Sequence, residues 1–79
     1  MSIFKENMKK NIEFKKVMEE RGFYVSGTGF SDTSLIYRLE DIGENGLKKP
    51  GTWHIGSISG SEIRNAKTSN DILALAVRF

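Results

Sequence analysis

The spacing of apolar residues changes at Gly22, and this change restricts the possible folds more than any other feature of the chain. Before Gly22, residues 3–21 carry apolar side chains at helical spacing. The side chains on this broad face are Ile3, Phe4, Met8, Ile12, Phe14, Val17 and Met18. Ser2 is a candidate cap for the helix, and Gly22 is a candidate stop. After Gly22 the spacing becomes the two-residue alternation of strands, so we expect an α+β fold that begins with an amphipathic helix.

Three later segments have strand composition: residues 23–28, 35–40 and 52–58. Between the last two segments, residues 43–51 contain Asn45-Gly46 and Pro50-Gly51, both of which favour turns. This loop predicts that the second and third strands are antiparallel. Because strand side chains alternate between faces, the second strand is predicted to turn Leu35, Tyr37 and Leu39 inward. The third is predicted to turn Trp53 and Ile55 inward and Ile58 outward.

The C-terminal residues 61–79 fit two interpretations. Residues 61–67 can begin a short helix, and residues 68–71 indicate a break or a new helix cap. Residues 72–79 fit either a short helix or a strand, and we favour the strand because its alternate positions, 73 to 79, are all apolar. The predicted architecture is an N-terminal amphipathic helix packed on a three- or four-stranded antiparallel sheet. Its last element is a strand or a short helix.

The length and composition predict one small domain over residues 1–79. A chain of 79 residues can bury one modest core, and without cysteine it has neither a disulfide nor a thiolate metal site. Dimerisation or partner binding would therefore stabilise it, and the sequence leaves a homodimer open. The longest apolar run, residues 72–77, is too short to cross a bilayer, and no apolar signal region precedes a cleavage site. We expect a cytoplasmic protein without membrane association.

No catalytic, cofactor or metal site is recognisable. His54 is the single histidine, and no spaced nucleophile motif surrounds it. The glycine-containing segment 27–32 lacks the pattern of a phosphate-binding loop. The acidic residues Glu40, Asp41 and Glu44 lack the ligand spacing of a calcium loop. We therefore expect a protein that is not an enzyme and that needs no cofactor.

Two groups of residues are candidates for binding a partner. Strand alternation predicts that Tyr24, Arg38 and His54 share the outward face of the sheet, and aromatic residues with arginine are frequent in recognition surfaces. The second group is Leu47, Lys48 and Lys49, at the tip of the loop between the last two strands.

A small protein-binding module is the function that these observations favour. The abundance of residues with AT-rich codons, such as Lys, Asn and Ile, indicates a bacterial or phage genome. An accessory protein that docks on a larger partner and modulates or inhibits it would suit such a source. A protein is thus the expected partner, and nucleic acid is the alternative.

Two other functions remain open. If the C-terminal third is helical, the order helix, three strands, helix resembles that of double-stranded-RNA-binding domains. The segment that would open the last helix offers only Arg64 and Lys67, together with Glu62. A small ribonuclease-type toxin is the second alternative, with His54, Arg38 and an acidic or tyrosyl partner in acid–base cleavage.

Overall fold

The first helix, α1, spans Ile3–Glu20 and ends where the sequence predicts. The computed structural model describes residues 3–27 and 32–79. Gly22 has a φ of 89°, a backbone conformation that favours glycine, and its N–H donates to the Glu19 carbonyl at 3.0 Å. The predicted helix stop is therefore confirmed, and the candidate cap Ser2 lies outside the described residues.

The buried face of α1 is narrower than the apolar pattern predicts. Phe14 and Met18 are fully buried, and they lie one turn apart. Met8 and Ile12 were predicted to share this face but are exposed. At about 100° per residue, Ile12 lies roughly 200° around the helix from Phe14, so it faces away from the core. The side chains of Ile3 and Phe4 lie outside the described part of the chain.

Three antiparallel strands form one sheet in the order β1-β2-β3. The strands are β1 (Phe23–Gly27), β2 (Thr33–Arg38) and β3 (Gly56–Ser59). Val25 lies opposite Ile36, and Ile36 lies opposite Gly56. The loop of residues 43–51 joins two antiparallel strands as predicted, and the α+β fold is confirmed.

The face of the second strand is the reverse of the prediction. Ile36 is fully buried, whereas Leu35 and Tyr37 are only half-buried and lie on the opposite face. Leu39 is exposed and belongs to a short 3-10 helix, Leu39–Asp41, beyond the end of β2. Ile36 faces inward because it shares a row with Val25, and both branched aliphatic side chains pack beneath α1.

The third strand also begins later than predicted, and its buried face is the opposite of the predicted one. It begins at Gly56, so Trp53 and Ile55 lie before it, and both are exposed. Ile58, predicted to face outward, is buried. The inner position opposite Ile36 belongs to Gly56, where an added Cβ would come 2.8 Å from the ring of Phe79. The Phe79 ring therefore occupies the space beside β3 that a larger strand residue would fill.

The C-terminal third is helical, so the favoured strand interpretation is wrong. Two helices, α2 (Gly60–Asn65) and α3 (Ser69–Ala76), follow β3. Each starts with a capping box: Ser59 with Glu62 in α2, and Thr68 with Asp71 in α3. The strand interpretation placed Leu73 and Val77 in the core, but they are exposed. Helical spacing instead buries Ile72 and Ala76, which lie one turn apart.

One core cluster joins the helices to the inner face of the sheet. Its buried members are Phe14, Met18, Val25, Ile36, Ile58, Ile63, Ala66, Ile72 and Ala76. These residues come from all three helices, all three strands and the segment between α2 and α3. In the described part of the chain, the helices pack on this inner face and leave the opposite face of the sheet open. No helix among residues 3–27 and 32–79 is long and apolar enough to span a membrane.

Candidate binding surface

The open face of the sheet carries an aromatic pair. Tyr24 of β1 lies directly opposite Tyr37 of β2, so both rings lie on the face turned away from the helices. Both side chains are half-buried. Tyr24 therefore lies on the outward face, as predicted, and Tyr37 joins it there rather than in the core.

His54 extends this aromatic pair. Its ring meets that of Tyr37 edge to face, with 6.2 Å between ring centroids and an interplanar angle of 76°. The structure thus brings together Tyr24 and His54, two of the three residues predicted for the outward face. They come together through Tyr37, which sequence alternation assigned to the interior.

Arg38 does not belong to this face. It lies opposite Phe23 at the end of β2, on the same side as Ile36. The guanidinium is exposed, and its Nη1 atom lies 3.9 Å from Oε1 of Glu40. The predicted grouping of Arg38 with Tyr24 and His54 is wrong because it followed from the reversed face of β2.

The loop residues Leu47, Lys48 and Lys49 are exposed, and one of them reaches the third-strand segment. The Lys48 ammonium lies 4.9 Å from the ring centroid of Trp53, within the range of a cation–π contact. The same ammonium donates a hydrogen bond to the Thr52 carbonyl at 3.0 Å. Lys48 therefore holds the loop against the segment that carries Trp53.

Backbone hydrogen bonds order this loop. The Gly43 N–H donates to the Leu47 carbonyl at 2.8 Å, and the Lys49 N–H donates to the Asp41 carbonyl at 2.8 Å. The Thr52 hydroxyl donates to the Lys49 carbonyl at 2.6 Å. These bonds order the backbone on both sides of Lys48, so the side chains of the loop extend from an ordered backbone.

The two ring contacts involve consecutive residues, Trp53 and His54, and we call the residues around them the Trp53 surface. It consists of Tyr37, Leu47, Lys48, Trp53, His54 and Ile55. Trp53 is 73% exposed, Leu47 66% and Ile55 45%. The surface lies where β2 leaves the sheet and the chain approaches β3.

Sequence reasoning missed three members of this surface. Trp53, Tyr37 and Ile55 were all assigned to the core because they are apolar residues in alternating segments. The signal that would have corrected this is the branched aliphatic residue at the other alternate position in each strand, namely Val25, Ile36 and Ile58. Choosing that row as the inner face turns Tyr37 outward.

Two carboxylates form ion pairs with arginines of the C-terminal segment. Asp32 forms a two-bond ion pair with Arg64 at 2.7 and 2.8 Å, which lowers the pKa of the Asp32 carboxyl. Glu62 accepts from Arg78 at 2.8 Å and from the Ser59 N–H, and both bonds lower its pKa. These charged groups fasten α2 to the rest of the fold.

Comparison of the chain with protein-family models, with curated proteins and with solved structures gives no match.

Proposed function

We propose that this protein is a small non-enzymatic binding module that docks on a larger protein through the Trp53 surface. The observation that carries the proposal is the position of Trp53, a large aromatic residue that is 73% exposed on an ordered segment. Tryptophan is among the residues that most often dominate the binding energy of protein interfaces.

The neighbours of Trp53 suit such a role. Leu47 and Ile55 are exposed aliphatic residues, and the residue after Trp53, His54, forms an edge-to-face aromatic pair with Tyr37. A cluster of this kind, with a polar rim, is characteristic of interaction sites. The hydrogen bonds of the loop, together with the Lys48 contact, order these groups before a partner arrives, which lowers the entropy lost on binding.

A chain this small would act on its partner by covering part of the partner's surface. A stable interface covers about 800 Å² on each protein. A module bound over that area would block the substrates or ligands of the partner that need the same patch. By blocking them, the protein would modulate or inhibit its partner. We propose that it does so as a bacterial or phage accessory protein in the cytoplasm.

RNA binding is the alternative that one observation favours. The helical C-terminus gives the order helix, three strands and two short helices, which is close to the order helix, three strands, helix of that alternative. The charges of this segment favour it only weakly, since Arg64 is paired with Asp32 and Glu62 is paired with Arg78. Of the two basic residues that the sequence offers there, only Lys67 forms no ion pair with a described residue, and RNA is therefore kept as an outcome of the test below.

The test is affinity capture from a bacterial host lysate with the wild-type chain, Trp53→Ala and Leu73→Ala. Leu73 is the matched control because it is also an exposed apolar residue but lies on α3. We expect a stoichiometric protein that survives nuclease treatment, that Trp53→Ala loses and that Leu73→Ala retains.

Two outcomes would overturn the proposal. Capture of the same protein by all three chains would show that the Trp53 surface is not the contact. If the captured partner is lost after nuclease treatment, RNA rather than protein would be the partner. A third variant, His54→Ala, tests the ribonuclease alternative, because loss of RNA cleavage with retained partner binding would assign chemistry to His54.

A further inference from the structure

We infer that the partner presents an acidic, apolar patch to the Trp53 surface, and this inference rests on the proposed docking function. Two lysines flank the apolar groups of the surface. Lys48 lies against Trp53, and Lys49 follows it on the same ordered loop. An interface that buries the apolar groups would bring both ammonium groups to its rim, where carboxylates of a partner can reach them.

Neither lysine forms an ion pair with any residue that the structure describes. In the described residues, the ion pairs join Arg38 to Glu40, Arg64 to Asp32 and Arg78 to Glu62. Lys48 and Lys49 form none, and the hydrogen bond from the Lys48 ammonium goes to the uncharged Thr52 carbonyl. The Trp53 surface therefore keeps the positive charge of Lys48, and the next residue, Lys49, adds a second one that a partner can complement.

The acidic residues in and next to this loop leave both lysines without an ion pair. Glu40 is engaged by Arg38 at 3.9 Å. Asp41 is half-buried and contributes its backbone carbonyl, which accepts from the Lys49 N–H. Glu44 is exposed in the turn bounded by Gly43 and Leu47. None of these three carboxylates comes within ion-pair distance of Lys48 or Lys49 in the described structure.

A second copy of this chain would be a poor occupant. A two-fold dimer places the same patch of both copies face to face. Such an interface would contain Lys48 and Lys49 of both copies, and the like charges gathered there oppose its formation. A partner with carboxylates beside apolar side chains avoids this repulsion. Its carboxylate would pair with the Lys48 ammonium while that ammonium stays against the Trp53 ring.

The test uses a displayed library of random twelve-residue peptides selected against the purified wild-type chain. Peptides are kept only if they lose binding to Trp53→Ala and keep binding to Ile12→Ala, an equally exposed apolar control on α1. We expect these peptides to be enriched in Asp and Glu next to apolar residues. Their affinity should fall roughly three- to tenfold for Lys48→Gln/Lys49→Gln, the effect of losing two exposed ion pairs.

The matched control is Lys9→Gln/Lys16→Gln, which removes two exposed lysines from α1 and should leave the affinity unchanged. Trp53-dependent peptides that are neutral or basic, or that are insensitive to Lys48→Gln/Lys49→Gln, would overturn the acidic partner and leave the docking surface intact. An absence of Trp53-dependent peptides would count against the proposed function itself. Self-association of the chain that Trp53→Ala abolishes, measured by sedimentation equilibrium, would favour a second copy and overturn the inference.

Discussion

Trp53 and Ile36 are both apolar residues in segments with strand composition, yet they lie in opposite environments. Ile36 is fully buried at the centre of the sheet, and Trp53 is 73% exposed. Burial here follows strand register rather than hydrophobicity, because the row of Val25 and Ile36 faces the helices.

The free energy of unfolding should therefore respond differently at these two positions. We expect Trp53→Ala to lower it by no more than about 1 kcal/mol, the scale of an exposed cation–π contact. Ile36→Ala should lower it by roughly 2 to 5 kcal/mol because it leaves a cavity in the core. Urea unfolding of both variants, followed by far-UV circular dichroism, measures the difference. A Trp53→Ala variant as unstable as Ile36→Ala would show that Trp53 is part of the core.

The sequence could not decide which face of β2 is buried because both faces contain apolar residues. Leu35 and Tyr37 form one set, and Ile36 stands alone in the other. Counting apolar residues favours the first set, but the sheet selects Ile36 because it aligns with Val25 across the strands. Tyr37 suits the open face because a tyrosine hydroxyl can hydrogen-bond water there. The error in this one strand also put Arg38 on the wrong face, whereas Trp53 was assigned to the core because the predicted third strand included it.

At the scale of elements, the first helix was predictable and the last was not. The apolar spacing before Gly22 predicted α1 almost to its last residue, and Gly22 ended it by adopting a positive φ. Capping boxes start both C-terminal helices, Ser59 with Glu62 and Thr68 with Asp71, and only the second lies in a segment predicted to cap a helix. Local hydrogen bonds decide where helices begin and end, whereas strand faces depend on residues far away in the sequence.

Acid should loosen the C-terminal helices. Hydrogen bonds from Arg64, from Arg78 and from the backbone N–H groups of Lys67 and Thr68 lower the pKa of Asp32, Glu62 and Asp71 respectively. A carboxyl whose pKa is lower in the folded chain stabilises it above its unfolded pKa, about 4. This stabilisation is lost as the pH falls through the lower folded value. The melting temperature should therefore decline below about pH 4.

Variants can identify the carboxylates responsible. Asp32→Asn/Asp71→Asn should melt at a lower temperature at neutral pH and show a shallower decline with acid than the wild type, since two of the three groups no longer titrate. Glu20→Gln is the control, because the exposed Glu20 carboxylate makes no hydrogen bond or ion pair to a described residue. An unchanged pH profile for the double variant would show that these capping and ion-pair carboxylates do not govern acid stability.

For the whole molecule, one domain over residues 1–79 stays a prediction. A substitution in the core can test it. Nine buried residues from the helices, the strands and the segment between α2 and α3 form one cluster, which includes Ile72 of α3 and Ile36 of β2. If the chain unfolds as one unit, Ile72→Ala should destabilise the sheet as much as the helix that carries it. The expected loss is roughly 2 to 5 kcal/mol. Amide hydrogen exchange measured by NMR should therefore accelerate by at least about thirtyfold in β2 as well as in α3.

Leu73→Ala, at an exposed position of the same helix, should leave β2 exchange nearly unchanged. Acceleration confined to α3 would mean that this helix opens independently, and the single cooperative domain would then be wrong.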